Sequence, residues 1–480
     1  MKKTLLSLAV VSSFITAPLF ANQCIENIES LHHTEYLFLN NCGLTSQEMP
    51  EVVAYLNKHP DIEEVDLSNN MIEDWGAKKL SEVNSPIRSI VIDNNYISDN
   101  GVALIASMPA LKGIFASNNA ISDVGAKAIA AHGNFTYIDL SNNEITPIGA
   151  EALAGLPTLA YINLDNNYGL GDETAIRFSH VQSLRGIGLS DGEVTDLGAR
   201  ALAANKHLNQ LDLSFNRIST DGIKAIVKNE NLRYVSLAYN EITTEALIAL
   251  AKNQNIGYLD LSGNLLGDNE AKILSRNSVI SILMLNDNYI RKEGASALVQ
   301  NHLFRLEISH NYLGDDGVVA LSKSSSFGSL DVSSNGVGPK GAAALAKSRY
   351  WSLNIDNNYI GDEGAAVLAK PVNYFSYLSL VNNQIGDTGA IAFARSDKIF
   401  NLDVSYNHIT SVGLKALSNN SALRVFAEGN DVNAVKAKSK IKKPSLAFRT
   451  AALEYSCLNN HNDYCTTLAK HHFVDGSFLR

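Results

Sequence analysis

The sequence has little of what most enzymes and membrane proteins need. It holds no His-Glu-x-x-His pair, and no set of residues along it reads as a catalytic constellation, so neither an enzyme nor a cofactor is expected. Asp, Ser and His are plentiful but fall in recurrent triplets such as Asp-Leu-Ser. Cysteine is limited to four positions, Cys24, Cys42, Cys457 and Cys465. A zinc site drawn from Cys457, Cys465, His461, His471 and His472 matches no common ligand spacing, so no metal is expected. Charged residues make up only 18%, with no long charge run through the body, while hydrophobic residues reach 45%. That balance excludes a disordered chain. Beyond the N-terminal leader no stretch approaches the roughly 20 apolar residues of a membrane helix, so no integral membrane segment is expected.

What the chain does have begins with that leader. Lys2 and Lys3 precede a mostly apolar run from Leu5 to Ile15, and Pro18 precedes Ala21, a small residue suited to the last position before cleavage. This is the layout of a bacterial secretory signal peptide. Residues 1–21 are read as the signal, and the mature protein as exported, periplasmic or secreted. In an oxidising compartment the local pairings Cys24–Cys42 and Cys457–Cys465 are the most economical of the three connectivities open to four cysteines. The net charge of −10 is unevenly spread. Setting aside Lys2 and Lys3, and residues 431–480 with eight basic and four acidic side chains, leaves −16 on residues 22–430. Such a surface repels nucleic acid, whose binding rests on neutralising phosphates. It favours a basic or neutral protein partner. The stretch from Lys436 to Lys443 reads as a solvated linker.

At 480 residues the chain exceeds one compact core, which rarely grows past about 250–300 residues, so it is either several domains or an extended repeat array. Self-similarity decides for the array. "YIDLSNNEITPIGAEALA" (137–154), "QLDLSFNRISTDGIKAIV" (210–227) and "SLDVSSNGVGPKGAAALA" (329–346) share one layout. An Asn recurs at Asn70, Asn95, Asn119, Asn143 and Asn167, and again from Asn216 to Asn430, mostly 23–25 residues apart. Cys42 and Gly192 hold the equivalent place in the first and seventh of about seventeen units. In L-x-L-x-x-N, alternate residues of a strand point to opposite faces, so the two apolar ones face inward. The Asn has both a donor and an acceptor for backbone groups that neighbouring units leave unpaired. An apolar residue two later, such as Ile97 or Ile145, closes the core. An Asp that often follows (Asp74, Asp99, Asp123) is placed to cap a helix start. A Gly-Ala pair then lets an Ala/Leu-rich helix lie close to the sheet.

These residues resemble the leucine-rich-repeat family over about residues 36–430. The helical outer segment is similar to the ribonuclease-inhibitor-like class. The recurring Gly-Ala-x-Ala-Leu-Ala, as in Gly149 to Ala154, looks like the GALA-type repeats of bacterial host-interaction proteins. The resemblance implies an α/β leucine-rich-repeat solenoid, a horseshoe or arc with a parallel β-sheet on the concave face and helices on the convex face. Residues 22–35 are expected to form an N-terminal cap and residues 431–480 a C-terminal helical cap, because terminal units expose core. The family also allows a Cys in the Asn position, a second reading of Cys42.

The resemblance implies binding rather than turnover: a monomer recognising a protein partner through its concave face, with host interaction as one setting. An activator of small GTPases, by class analogy, and a structural envelope protein remain alternatives. Three columns of side chains should line the concavity: the residue before the first strand Leu, the one between the two Leu positions, and the one after. The first holds Tyr137, Tyr161, Tyr234 and Tyr258, and the second Asp139, Asp212 and Asp260. Tyrosine is an efficient contact residue, and neighbouring carboxylates suit a basic ligand. Gly186 and Gly188 remove two concave side chains where Gly192 also interrupts the Asn series. A shallow trough is expected there, flanked by Tyr137 and Tyr161 on one side and by Asp212, Phe215, Tyr234, Tyr239, Tyr258 and Asp260 on the other.

Overall fold

The structure is a computed structural model that describes Ala21 and residues 24–33 and 35–430. The leader up to Phe20, the C-terminal cap and the Cys457–Cys465 pairing lie outside the described residues. Two compact units divide the chain, the first ending at Arg217 and the second starting at Ile218.

In the first unit the strands are β1 (His32–His33), β2 (Tyr36–Phe38), β3 (Glu64–Asp66), β4 (Ser89–Val91), β5 (Gly113–Phe115), β6 (Tyr137–Asp139), β7 (Tyr161–Asn163), β8 (Gly186–Gly188) and β9 (Gln210–Asp212). β1 runs antiparallel to β2, and the rest pair in parallel in chain order. The second unit holds β10 (Tyr234–Ser236), β11 (Tyr258–Asp260), β12 (Ile282–Met284), β13 (Arg305–Glu307), β14 (Ser329–Asp331), β15 (Ser352–Asn354), β16 (Phe375–Ser379), β17 (Ile399–Asp403) and β18 (Arg424–Phe426). All are parallel and in chain order. From β2 onward a short helix follows each strand except the last, so every unit is a sheet backed by a layer of helices.

Register repeats because each rung is held by the same side chains. The central strand residue and the next apolar one, as in Ile138 and Leu140, are fully buried between sheet and helices. Asn95 shows the ladder at work. Its Oδ1 accepts the Ile72 N–H at 2.9 Å, and its Nδ2 donates to the carbonyls of Leu67, Ile92 and Asp93. One side chain thus satisfies groups on two rungs that the tight turn leaves unpaired. The residue before each ladder Asn adopts positive φ, +50 to +55 from Asn69 to Asn166. Asn tolerates that conformation better than most residues.

The Asp that follows does not cap its own helix. Asp99 reaches across to the next rung, where its Oδ1 accepts the N–H of Ser122 at 2.7 Å and of Gly125 at 2.9 Å, while its Oδ2 accepts the Ser122 hydroxyl. Asp123, Asp172 and Asp387 do the same for Thr146, Thr195 and Thr410. This explains the Gly of the Gly-Ala pair: a Cβ on Gly125 would stand 2.7 Å from Asp99 Oδ1 and 2.7 Å from Ile121 Cγ2.

A second ladder runs along the helix C-termini. Asn277 Nδ2 donates to the Asn253 carbonyl at 2.8 Å and Asn301 Nδ2 to the Asn277 carbonyl at 2.6 Å. Its signal, an Asn at 205, 229, 253, 277 and 301, is present in the sequence but hidden by variable neighbours. At the N-terminal end Cys24 and Cys42 are joined by a disulfide, with their Cα atoms 5.8 Å apart. Cys42 is therefore a staple and not only a replacement for the ladder Asn.

Candidate binding surface

On the open face of the first sheet the middle column reads Asp139, Asn163, Gly188, Asp212 along β6 to β9. Each acid turns back on its own strand. Asp139 Oδ1 accepts both the N–H and the hydroxyl of Ser141, at 2.9 and 2.7 Å, and Asp212 Oδ1 the Ser214 N–H at 2.8 Å. Asn163 Nδ2 bonds Asp139 Oδ2 at 3.2 Å. Asp165, in the third column, is the irregular member. Its Oδ1 accepts the Ser190 N–H at 2.6 Å; its Oδ2 is buried and makes no hydrogen bond within 3.5 Å, with only the Asn163 amide close enough to offset part of the charge. Burial first, then the negative charges of Asp212 and Asp139, raise its pKa well above the usual carboxylate range. The sequence reading did not single out Asp165. Its signal is an Asp where most rungs of this unit carry a Ser, as at Ser68, Ser141 and Ser190.

The glycine trough is only partly open. Over Gly186 lies the ring of Tyr161: a Cβ there would meet Tyr161 Cδ1 at 2.6 Å. The missing side chain seats a neighbouring aromatic instead of leaving a void. Tyr161 is thus 6% exposed and stacks on Tyr137, with centroids 5.3 Å apart and planes 4° off parallel. Burial also raises its phenol above the ordinary value. Gly188, between Asn163 and Asp212, is where the face lacks a side chain of its own. Phe215 stands beyond it, exposed, with φ +53 at a position where other rungs place Asn.

The second unit presents a different patch. Tyr258, Ile282 and Met284 form a cluster on the open face, with Tyr234 packed beside it. The Tyr258 hydroxyl points at Met284 Sδ, 2.7 Å away. Ile282 and Met284 were not anticipated. Their rung, Ser-Ile-Leu-Met-Leu, is apolar in both outward columns, a break in alternation that a count by rung would show. Asp260, the register partner of Met284, has its pKa pushed up to about 6 chiefly by burial. Tyr239 is on the rim, not the open face: its hydroxyl donates to Asp287 Oδ2 at 2.7 Å, and its ring lies over Gly263.

Two short sequence motifs that would suggest chemistry are absorbed by the fold. Gly188 to Gly192 reads Gly-x-Ser-x-Gly, but the next helix begins only at Asp196 and Ser190 is buried with its N–H on Asp165, so no strand-to-helix nucleophile elbow forms. Gly336 to Gly341 reads Gly-x-Gly-x-x-Gly before a helix. The N–H groups of Gly338 and Gly341 there both bond Asp315 Oδ1 at 2.8 Å, so an internal carboxylate sits where a phosphate would. Among the described residues no cluster of His, Cys, Asp and Glu is arranged to hold a metal, and no helix is long and apolar enough to cross a membrane.

A family model described as leucine rich repeat matches residues 116–168 and 206–266. A second of the same description matches 300–322, 323–346, 352–369, 373–394 and 401–418. Among solved structures the chain is similar to an internalin from Listeria monocytogenes, with 19% identity over 75% of this chain and 89% of that one and a TM-score of 0.39. It is also similar to TLR13 in a TLR13–ssRNA13 complex, with 16% identity over 84% of this chain and 64% of that one and a TM-score of 0.51. No curated protein matches it. At such identities the likeness concerns the fold alone. Repeat pattern, strand order and these partial matches give each unit the fold of a leucine-rich-repeat solenoid, α/β, with a parallel sheet on one face and helices on the other.

Proposed function

We propose that this is an exported binding protein whose first unit captures a basic segment of a protein partner on its open sheet face. The carrying observation is Asp165, a buried carboxylate with an unpaired oxygen, grouped with Asp139 and Asp212 around the bare position at Gly188. An arginine or lysine of a partner, laid over Gly188 beside Tyr137, would relieve that negative potential and gain aromatic contact. The charge supports the same reading: residues 22–217 carry 25 acidic and 11 basic side chains, a net of −14, which also disfavours a phosphate backbone. On the second unit, Tyr234 and Tyr258 with Asp260 would serve as an apolar anchor site. Glycine at Gly125 and Gly149 followed by Ala supports placing the units in the ribonuclease-inhibitor-like class with GALA-type repeats. The Cys24–Cys42 bridge and the Lys2/Lys3 leader support export.

The test has two parts. Protein recovered from the native host's envelope or medium should begin near Asn22; an intact Met1 would overturn export. Partners captured by the mature chain and identified by mass spectrometry should then be titrated against Tyr137→Ala, Asp139→Asn and Gly188→Arg. Each should weaken binding about tenfold or more, while the helix-face control Lys224→Ala should not. Equal affinity of all four would place the site elsewhere.

A further inference from the structure

A row of exposed apolar side chains on the second unit has no use in the fold. The residue after each ladder Asn reads Leu265, Tyr289, Tyr312, Gly336, Tyr359 over five successive rungs. Leu265 is 73% exposed, and Tyr289, Tyr312 and Tyr359 are 50%, 60% and 63% exposed. Their backbones are nonetheless fixed. The N–H of Tyr289, Tyr312 and Tyr359 bonds the carbonyl of Leu266, Ile290 and Val337 on the preceding rung at 2.8, 3.0 and 2.8 Å. Aromatic rings standing in solvent on a fixed backbone are costly to leave uncovered and well suited to contact.

Tyr289 and Tyr312 stack in parallel, 5.9 Å apart and 5° from coplanar. The next rung has Gly336, at φ +70, with no atom within 4 Å of where a Cβ would be. Tyr359 follows. The stripe is therefore a stacked pair, an open notch and a further ring. Beside it runs the column before each ladder Asn, with Asp287, His310 and Asn357 exposed. This column leads into a cleft of about 670 Å³ whose lining includes Asn357, Asn382, Tyr406 and His408.

We propose that this rim is a carbohydrate site that binds a neutral, extended oligosaccharide along the stripe. A pyranose ring has an apolar C–H face that lies on an aromatic ring and an equatorial belt of hydroxyls that needs both donors and acceptors. The tyrosine stripe supplies the first and the amide, carboxylate and imidazole column the second. Charge selects the class. Residues 218–430 carry 20 acidic and 18 basic side chains, a net of −2, against −14 on residues 22–217, so the rim is not built to attract an ion. A nucleic acid would stack its bases equally well but needs cations along its backbone; the column alongside reads Asp287, His310, Ser334, Asn357 with no Lys or Arg, and Arg291 near Tyr289 sits among Asp268, Glu270 and Glu293.

Calorimetric titration of the full mature chain with cellohexaose and chitohexaose tests this. At least one should bind with a dissociation constant in the micromolar to low millimolar range. Tyr312→Ala and Tyr359→Ala, at exposed positions, should each weaken it at least fivefold with an unchanged melting temperature. Gly336→Asn, tolerated at positive φ, should fill the notch and weaken it too. Tyr137→Ala and Asp139→Asn should leave it unaltered, which separates this site from the sheet-face site on the first unit. No binding of either sugar at millimolar concentration, or equal binding by a Tyr312→Ala/Tyr359→Ala double variant, overturns the proposal. So does preference for a proline-rich peptide or single-stranded RNA over both sugars.

Discussion

Asp165 combines two costs at one residue, a desolvated carboxylate and like charges beside it. Replacement by Asn keeps the acceptor for the Ser190 N–H and removes the charge. Asp165→Asn should therefore raise the stability of the first unit at pH 7 while weakening capture of a basic partner. Thermal unfolding and affinity moving in opposite directions would mark it as functional; loss of stability would show that the charge is compensated. Asp260 and Asp356, with pKa pushed up to about 6 and about 7 mainly by burial, have a related consequence. Both bind a proton more tightly folded than unfolded. Between about pH 4 and 7 the native state holds protons that the unfolded chain has released, so their contribution lowers stability as pH rises. Asp260→Asn and Asp356→Asn should each stabilise the second unit above pH 7, on the order of 1–3 kcal/mol, and flatten that slope. Urea titrations at pH 4.5 and 8 measure it, and an unchanged difference between the two would refute the shift.

At the scale of an element, the link between consecutive helices is an aspartate on one rung and a glycine on the next. Gly125 lies inside a helix, where Ala is intrinsically better by about 1 kcal/mol. Yet an alanine Cβ would stand 2.7 Å from both Asp99 Oδ1 and Ile121 Cγ2. The clash should win, so Gly125→Ala is expected to destabilise the first unit by about 1–3 kcal/mol. Asp99→Ala removes the acceptor of three hydrogen bonds and should cost a similar amount. In the double variant the alanine Cβ no longer meets the carboxylate, so the two losses should not add. Additive losses in denaturant titrations would mean that the glycine serves some other end.

For the whole molecule, two features set the first unit apart from the second. The Cys24–Cys42 bridge closes a loop of 18 residues, for which the chain-entropy account suggests about 3 kcal/mol. Reduction should lower the melting temperature of a protein cut after Arg217 if that piece folds alone, and in the full chain should leave a second, unshifted transition. A single transition moving as one would show that the units unfold together. The acidic excess also lies in the first unit. Binding of a basic partner there should weaken steeply between 50 and 500 mM salt, whereas sugar binding on the neutral rim should hardly change.

By itself the sequence determined the repeat, its length and the inward face of every rung. Those follow from local alternation and from an Asn whose bonding needs are the same in each copy. The open-face columns were legible for the same reason, and so were Tyr137, Asp212 and Tyr258 as members of them. Tertiary structure alone decided what crosses between rungs. That Asp99 serves the next helix, that Tyr161 lies over Gly186 and that Asp165 is left with an unpaired oxygen depend on distances between side chains about 25 residues apart. A one-dimensional pattern places such residues in register, but it does not say which way a ring leans or whether a carboxylate finds its second partner.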